Sequence, residues 1–269
     1  MEFKQQLATK AENIQKKDKG IKLTANMPIE DMIKVLEPEI KKALPQVITP
    51  ERFTRMALTA VSNTPDLQKC APMSFIAALM NAAQLGLEPN TPLGQAYLIP
   101  YRNKKKNCIE CQFQIGYKGM IDLVYRNENV QTIQAQIVYE NDEFEYELGL
   151  NSKLRHIPAL SDRGEIKFVY ALFKLKNGGY GFEVMNKEAI IAHAKRYSPV
   201  FDGYSPWKTD FEAMAMKTVI KKVLKFAPLK AELQRAIASD ETIKNQIAMD
   251  MTEINSEEYY DNYEEGDNE

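Results

Sequence analysis

The sequence predicts an α+β fold, in which an antiparallel sheet with a long basic hairpin packs with N-terminal and C-terminal helices. Apolar residues recur at three- and four-residue steps up to about residue 86, and they alternate with polar residues between 95 and 185. Helical spacing returns from residue 186. Strands and helices are therefore grouped along the chain, which is typical of α+β proteins and not of parallel βαβ folds.

The N-terminal half of the pattern predicts helices. An apolar stripe from Ile33 to Leu44 predicts a helix that Pro38 kinks or splits. The TPE sequence that begins at Thr49 combines a capping hydroxyl, a proline in the first turn and an acid, which is typical of a helix start. A further helix is expected over 73–85, with Gly86 as its stop.

Alternating residues then predict antiparallel strands. The segments 95–101 and 108–117 flank the loop RNKKKN and indicate a long hairpin with a basic tip, followed by a short helix over 118–127. Further strands are expected at 130–139, 143–149, 166–175 and 180–185. After these come helices at 186–197, from Trp207 to Phe226, and at 229–249, with a loop over 198–206.

Charge divides the chain into three predicted parts. Residues 240–269 hold 11 of the 37 acids and one of the 35 bases, so the rest of the chain is net positive although the whole carries -2. We expect a flexible arm at 1–28, a net-positive core at 29–239 that suits a polyanion, and an acidic, largely disordered tail at 240–269. The tail could dock a partner, compete for the basic surface or serve only as a solubilising end.

Composition excludes several classes of protein. No segment approaches 18 uninterrupted apolar residues and the N-terminus lacks the apolar stretch of a secretory signal, so a membrane protein or a secreted one is not expected. Three cysteines, an odd number, argue against a disulfide framework and for a reducing compartment. The sequence therefore predicts a cytoplasmic protein.

The hairpin tip is the first candidate site. Four bases lie within five positions, with aromatic residues on both sides, and this combination suits single-stranded nucleic acid because charge follows phosphates while rings stack on bases. The alternative is a solvated turn with core aromatics behind it. The bases are Arg102, Lys104, Lys105 and Lys106, and the aromatics are Tyr97, Tyr101, Phe113 and Tyr117.

The helix after Trp207 is the second candidate site. Lys217, Lys221 and Lys225 follow one another at four-residue steps on one face, with Lys222 beside them. Lysines in such a row repel one another unless an anion lies along them. Nucleic acid is the favoured anion, a membrane surface is a weaker candidate, and a solvated helix face is the ordinary alternative.

Catalytic and metal chemistry have little support. The chain has no Gly-Lys dipeptide and thus no Walker-type phosphate loop, and neither histidine has a nucleophile close in sequence. The CxxC of Cys108 and Cys111 lacks a second ligand pair. Asp162, Glu165 and Lys167 weakly resemble the acid-x-Lys element of metal-dependent nucleases. We therefore expect no catalytic residue, no metal and no cofactor.

Three long stretches resemble the RecT family of phage-type single-strand annealing proteins. They are MSFIAALMNAAQLGLEPNTPLGQAYLIPY (73–101), QIGYKGMIDLVYR (114–126) and FEAMAMKTVIKKVLKFAP (211–228) with the segment around Trp207. The resemblance covers about residues 30–240. By position, Gly116, Tyr117, Lys118 and Arg126 match the family's GY-[KR]-GMIDL motif, and Lys217, Lys221 and Lys222 match its basic C-terminal helix.

The resemblance implies that residues 29–239 form a DNA-binding and oligomerisation core with an annealing-protein-like fold, and it implies a specific activity. Such proteins bind single-stranded DNA and pair it with a complementary strand without ATP, as rings or helical filaments. They act beside a phage exonuclease and the host single-strand binding protein. The expected phosphate contacts are Arg102, Lys104, Lys105, Lys106, Lys118, Arg126, Lys217, Lys221, Lys222 and Lys225, and the weaker candidates for base or sugar packing, each of which could instead be core, are Tyr97, Tyr101, Tyr117 and Trp207.

The stripe of Glu143, Glu145 and Glu147 is a separate feature of the predicted strand 143–149. These acids alternate with apolar residues, so they share one face of the strand. They could form one side of a subunit contact, and a solvated sheet face is the alternative.

Overall fold

The computed structural model describes residues 27–198, 201, 205–229, 231–240, 243–244 and 251. Most of the predicted N-terminal arm, part of the 198–206 loop and most of the acidic tail lie outside the described residues. The helices are α1 (Ile29–Val35), α2 (Glu37–Ala43), α3 (Pro50–Asn63), α4 (Pro72–Leu85), α5 (Tyr117–Tyr125), α6 (Lys187–Tyr197), α7 (Pro206–Thr209), α8 (Phe211–Leu224) and α9 (Ala231–Ala238), with a 3-10 helix at Pro65–Lys69. The strands are β1 (Ala96–Asn103), β2 (Cys108–Ile115), β3 (Val130–Tyr139), β4 (Glu143–Glu147), β5 (Lys153–Ile157), β6 (Ile166–Leu175) and β7 (Tyr180–Asn186).

Helix α4 lies between the helices α1 and α2 and the β1–β2 hairpin, and its sequence is apolar on nearly every side, so it is buried all round. The predicted split near Pro38 is confirmed, since α1 ends and α2 begins on either side of Leu36. The helix start at Thr49 is also confirmed, because its hydroxyl accepts the Arg52 N–H at 3.4 Å. Gly86 ends α4 at a left-handed φ of 58°, where a side chain would be strained.

All strand pairs are antiparallel, and the α+β class is confirmed. β1 pairs with β2 and β4 with β5 as two-stranded hairpins, while β3, β6 and β7 form a three-stranded sheet with β6 in the middle. In the first hairpin, Asn103 lies opposite Cys108, so residues 104–107 form the turn.

The three-stranded sheet has two faces with different coverings. Val169 and Ala171 of β6 are buried on the face against which α8 packs. Phe168 and Tyr170 point the opposite way, because neighbouring side chains alternate along a strand. Their rings lie 5.5 and 5.6 Å from the ring of Phe144 in β4. The β4–β5 hairpin therefore covers the second face of the sheet.

A buried carboxylate holds the base of the β4–β5 hairpin. The Asp142 side chain is fully buried, and it accepts hydrogen bonds from Arg163 Nε and Nη2 at 2.9 and 2.5 Å and from the Tyr139 N–H at 2.9 Å. His156 Nε2 lies 3.0 Å away. The Arg163 hydrogen bonds hold the pKa of Asp142 far below its ordinary value, although burial acts in the opposite direction.

Three predicted elements differ from the structure. The helix expected from Trp207 to Phe226 is interrupted at Asp210, whose non-helical backbone (φ -148°, ψ 59°) separates α7 from α8 at a residue type favoured at helix starts. The helix expected over 229–249 is α9, which ends at Ala238. Strand β5 was not predicted, because its short KLRHI alternation carries few apolar residues. No helix among the described residues is long and apolar enough to cross a membrane.

Candidate nucleic-acid interface

The β1–β2 hairpin separates its predicted site residues between two faces. Tyr97 and Tyr101 lie on one face with Gln114 and Glu110 directly opposite them on β2, and Tyr97 is 41% exposed. Arg102 points to the other face, because it is one position removed from Tyr101. The sequence predicted one cluster of bases and rings, and the strand geometry divides it.

The turn at the hairpin tip presents exposed lysines. Lys104 and Lys105 are exposed at the turn itself. The Lys106 side chain points back to strand β2, and its Nζ lies 3.3 Å from a carboxylate oxygen of Glu110. Glu110 is 2% exposed. The Glu110 carboxylate also accepts from Asn103 Nδ2 at 2.8 Å. Lys106 is therefore partly engaged in closing the turn.

A close backbone crossing forms the floor of the interface at the other end of the hairpin. The Gly116 N–H donates to the Gln95 carbonyl at 2.9 Å as the chain enters α5. A Cβ on Gly116 would lie 2.1 Å from the Gly94 carbonyl oxygen, and one on Gly119 would lie 2.1 Å from the Gln95 carbonyl oxygen. Only glycine fits at these two positions of the GYKG sequence, so the crossing explains both.

Aromatic and basic side chains meet above that crossing. A Cβ on Gly94 would lie 3.1 Å from the Tyr97 hydroxyl and 3.7 Å from Lys118 Cδ, so both side chains lie close to this residue. Lys118 is exposed and Tyr117 is half-buried. The three residues therefore form a compact patch at the start of α5.

The late helix approaches the same patch. Burial raises the pKa of the Tyr97 phenol, the negative charge of Asp210 raises it further, and the positive charge of Lys217 lowers it. The Asp240 carboxylate, which pairs with Lys217 and Lys221, also accepts the Ile115 N–H at 2.6 Å, so α8 lies beside the base of the hairpin. Lys104 and Lys105 lie at the opposite end of the hairpin, so the structure does not bring the two predicted basic clusters together at one place.

The anion that the α8 lysines require is supplied by the chain itself. Asp240, with a fully buried side chain, lies 3.1 Å from Lys217 Nζ and 2.8 Å from Lys221 Nζ. It also accepts the Ile115 N–H at 2.6 Å. Asp240 is the first residue of the predicted tail, and the structure places it at the junction of β2, α8 and the end of α9.

The exposure of the lysines on α8 and at its end differs strongly. The Lys217 side chain is 7% exposed and that of Lys221 is 33% exposed. Lys222 faces the sheet, with its Nζ 3.8 Å from a Glu183 oxygen in β7. Lys225 follows the last turn and is exposed. The predicted row of lysines is therefore buried at its first residue, Lys217, and exposed to solvent at its last, Lys225.

Two further predicted residues serve the fold. Trp207 is 8% exposed and packs against Phe201 and Phe211, with ring centroids 6.3 and 6.0 Å away. Of the two roles considered for Trp207, DNA packing or a place in the core, the structure fits a place in the core. Arg126 pairs with Asp122 at 2.5 Å. The Arg126 guanidinium also donates to the carbonyls at the end of α4, which satisfies otherwise unpaired groups of that helix.

Sequence reasoning missed the most important partner in this region, Asp240. No local signal marks it, because 23 positions separate it from Lys217 and it stands at the start of an acidic run. Exposed aromatics near the ends of α6 and α8 were also missed. Tyr197 is 60% exposed beside Arg196, and Phe226 is 79% exposed beside Lys225.

The described residues contain no group of three or more His, Cys, Asp or Glu side chains arranged to hold a metal ion. Of the nuclease-like triplet, Glu165 instead pairs with Lys187 at 3.2 Å. Cys111 is buried beside Cys70, and burial raises the pKa of the Cys111 thiol well above its ordinary value. Such a thiol is a poor nucleophile and a poor metal ligand, because both roles need the thiolate.

Comparison with known proteins identifies the family. A model of the RecT family matches residues 51–256. The chain belongs to the RecT family. It is 40% identical over 235 residues to Protein RecT of Escherichia coli strain K12, which covers 84% of this chain and 86% of that protein. It is 31% identical over 246 residues to the uncharacterized protein YqaK of Bacillus subtilis strain 168, which covers 87% of this chain and 80% of that protein.

Membership of the RecT family confirms the resemblance carried by the three long sequence stretches. RecT family proteins are DNA recombination proteins of the single-strand annealing type. In this RecT-family chain, the matched region contains the hairpin, the glycine crossing and α8, so the candidate interface lies wholly inside it.

Proposed function

We propose that the chain binds single-stranded DNA and anneals complementary strands without ATP, acting as an oligomer on the DNA. The observation that carries this proposal is that Tyr97, Lys118 and the start of α8 lie together at the base of the β1–β2 hairpin in a RecT-family chain, where Asp240 joins α8 to the end of β2. A phage exonuclease and the host single-strand binding protein are the proposed partners. The bacterial cytoplasm, where the DNA is, is the proposed location.

We divide the expected phosphate contacts into two groups by their exposure and their partners. We assign direct contact to four exposed lysines, and sugar or base packing to the three tyrosines of the patch and hairpin face. Lys106, Arg126, Lys217, Lys221 and Lys222 are engaged within the protein, and Arg102 lies on the opposite face of the hairpin. The assigned residues are Lys104, Lys105, Lys118, Lys225, Tyr97, Tyr101 and Tyr117.

Annealing by such a surface needs no external energy source. The obstacle to pairing is repulsion between the phosphates of two approaching strands, and bound cations neutralise that charge while counterions are released. Contacts to the backbone leave the pairing edges of the bases unread by the protein. Complementarity is then tested by base pairing itself, and weak sites on successive protomers act together through avidity.

The proposal is tested by mixing complementary oligonucleotides with saturating protein and no nucleotide, and following duplex formation by fluorescence transfer. We expect pairing faster than without protein. Protection of the strands without faster pairing would show a passive cover, and shortened products with magnesium would show a nuclease; either result would refute the proposal.

A variant pair tests the assigned surface. Lys118→Met should weaken binding to all sequences and lower the salt slope by about 0.7, the value for one phosphate contact on a single strand. Lys41→Met removes an equally exposed charge on α2 and should leave the slope unchanged. Equal slopes for the two variants would remove Lys118 from the interface.

A further inference from the structure

The basic turn at the tip of the β1–β2 hairpin consists of residues 104–107. Lys104 and Lys105 are exposed there and are two of the phosphate contacts assigned above. Asn107 takes a left-handed φ of 49°, a conformation that asparagine adopts more readily than most side chains. A flexible segment loses conformational entropy when it binds, so a turn that is already held in one conformation binds a phosphate chain more tightly.

A buried carboxylate holds this turn. Glu110 of β2 is buried, and its two oxygens have different partners. Oε2 accepts from Asn103 Nδ2 at 2.8 Å, and Oε1 lies 3.3 Å from Lys106 Nζ. Asn103 is buried as well, and its Oδ1 accepts the Lys106 N–H at 3.0 Å. The three residues therefore form a closed set of contacts across the turn.

Strand β2 connects these contacts to the hydrophobic core. The residues on either side of Glu110 are hydrogen-bonded to the start of α4. The Ile109 carbonyl accepts the Ala71 N–H at 2.7 Å. The Cys111 N–H donates to Ser74 Oγ at 2.9 Å. Because α4 is buried all round, Glu110 is fixed relative to the core, and its contacts fix the turn in the same way.

The charge of Glu110 does not by itself favour DNA. A carboxylate close to lysines that contact phosphates lowers the local positive potential. Lys106 lies against this carboxylate with its side chain 42% exposed, so the pair adds no net charge to the turn. A buried acid at this place is therefore explained by its effect on the conformation of the turn.

We propose that Glu110 is a positioning residue for DNA binding, which holds the turn so that Lys104 and Lys105 project together toward the phosphates of one strand. The inference rests on the proposed function, since it concerns how one basic segment of that interface is held. Glu110 does not touch the DNA and acts through Asn103 and Lys106. Lys106 thus orders the turn, and the two lysines before it contact the strand.

A charge-neutral double variant tests the inference on the full chain. Glu110→Ala with Lys106→Met removes the carboxylate and the ammonium together, so the net charge of the turn is unchanged. The assay is fluorescence anisotropy with a labelled single strand short enough for one protomer. We expect about threefold to tenfold weaker binding, because each exposed ion pair contributes up to about fivefold in affinity.

The matched control removes another pair of opposite charges. Glu39→Ala with Lys42→Met eliminates an exposed ion pair on α2 and should bind the short strand as the wild type does. Wild-type affinity of the Glu110 double variant would overturn the proposal.

A double-mutant cycle separates positioning from a general loss of structure. In a background of Lys104→Ala with Lys105→Ala, the substitutions at Glu110 and Lys106 should have no further effect on affinity, because the lysines through which Glu110 acts are absent. An equal loss in both backgrounds would show a structural defect and overturn the proposal. If the double variant loses its cooperative urea transition, Glu110→Gln with Lys106→Met takes its place in the cycle, since the amide oxygen still accepts from Asn103.

Hydrogen exchange of the free protein measures the order of the turn directly. The Lys106 N–H donates to Asn103 and should exchange about tenfold faster or more in the double variant. An unchanged exchange rate would show that Glu110 does not order the turn and would overturn the proposal.

The same measurements distinguish this inference from the proposed function. If the wild type does not bind the short strand, the DNA-binding proposal fails and the inference fails with it. If Lys104→Ala with Lys105→Ala binds as the wild type does, the turn lies outside the interface, and the inference fails while DNA binding stands. If that variant binds weakly and the Glu110 variant binds normally, only the positioning role is wrong.

Discussion

The cluster of Asp240 with Lys217 and Lys221 makes a prediction that separates a structural lysine from a DNA contact. Asp240→Asn removes a carboxylate that lies 3.1 Å from the Nζ of Lys217, whose side chain is 7% exposed. Removal of one partner from a buried ion pair typically costs about 3–5 kcal/mol, because an uncompensated charge remains in the interior. We therefore expect the free energy of unfolding to fall by about 3 kcal/mol or more.

Lys217→Met should cost less. In this variant Asp240 keeps Lys221 at 2.8 Å and the Ile115 N–H at 2.6 Å, so the carboxylate remains partnered. The expected loss is about 1–3 kcal/mol. When Lys217→Met is added to Asp240→Asn, the buried positive charge that lost the Asp240 carboxylate is removed as well, so the double variant should be more stable than Asp240→Asn alone.

Urea unfolding provides the assay, because Trp207 is the single tryptophan and is 8% exposed, so its emission reports loss of the packed state. The control is Lys225→Met, which removes an exposed lysine at the end of α8 and should change stability by no more than about 0.5 kcal/mol. Salt titrations of DNA binding complete the comparison. Lys217→Met should keep the wild-type salt slope in its folded fraction.

Two results would refute this reasoning. A loss below about 1 kcal/mol for Asp240→Asn would mean that the buried charge of Lys217 has another compensation. The second result is a reduced salt dependence of DNA binding in Lys217→Met, by the amount expected for one phosphate contact. It would show that Lys217 contacts DNA.

Four further predictions concern the fold, the turn and the tail. Gly119→Ala forces a Cβ to 2.1 Å from the Gln95 carbonyl and should lower the free energy of unfolding by about 1–3 kcal/mol, measured in urea; an unchanged midpoint would contradict the close crossing. Lys104→Ala with Lys105→Ala should lower the salt slope of strand binding by about 1.4 without changing stability, and a full wild-type slope would exclude the turn from the interface. Because the folded pKa of Asp142 is depressed, its stabilisation is present above the ordinary aspartate pKa and is lost as pH falls below about 4; the stability gap between wild type and Asp142→Asn should shrink toward pH 2, and a constant gap would contradict this assignment. Deletion of residues 252–269 should preserve annealing, whereas a truncation that also removes Asp240 should unfold in less urea; equal stability of the two truncations would show that the buried acid is dispensable.

Local sequence rules were sufficient for most elements. Pro38, Thr49 and Gly86 each act on the backbone within one helical turn, so the split between α1 and α2, the start of α3 and the end of α4 followed from neighbouring residues. The interruption at Asp210 and the early end of α9 were not predicted. In both cases apolar spacing continues past the break, and only packing of the flanking segments decides where the helix stops.

The candidate site was predictable in composition and not in arrangement. Long matched stretches were enough to recognise the RecT family, and helical spacing placed Lys217, Lys221 and Lys225 on one face. The sequence could not show that Lys217 is buried, because burial depends on what packs against that face. It also could not show that Tyr101 and Arg102 belong to different surfaces until the register of the hairpin was known.

By itself, then, the order of residues determined the fold class, the family and the types of side chain available for holding a polyanion, since these depend on local conformational preference and on patterns along the chain. The tertiary structure alone decided which cations face outward. It brought Asp240 across 23 positions to Lys217, and it placed Arg102 behind the tyrosine face of the hairpin. Charge neutralisation and exposure depend on distance in space, and folding sets that distance independently of separation along the chain.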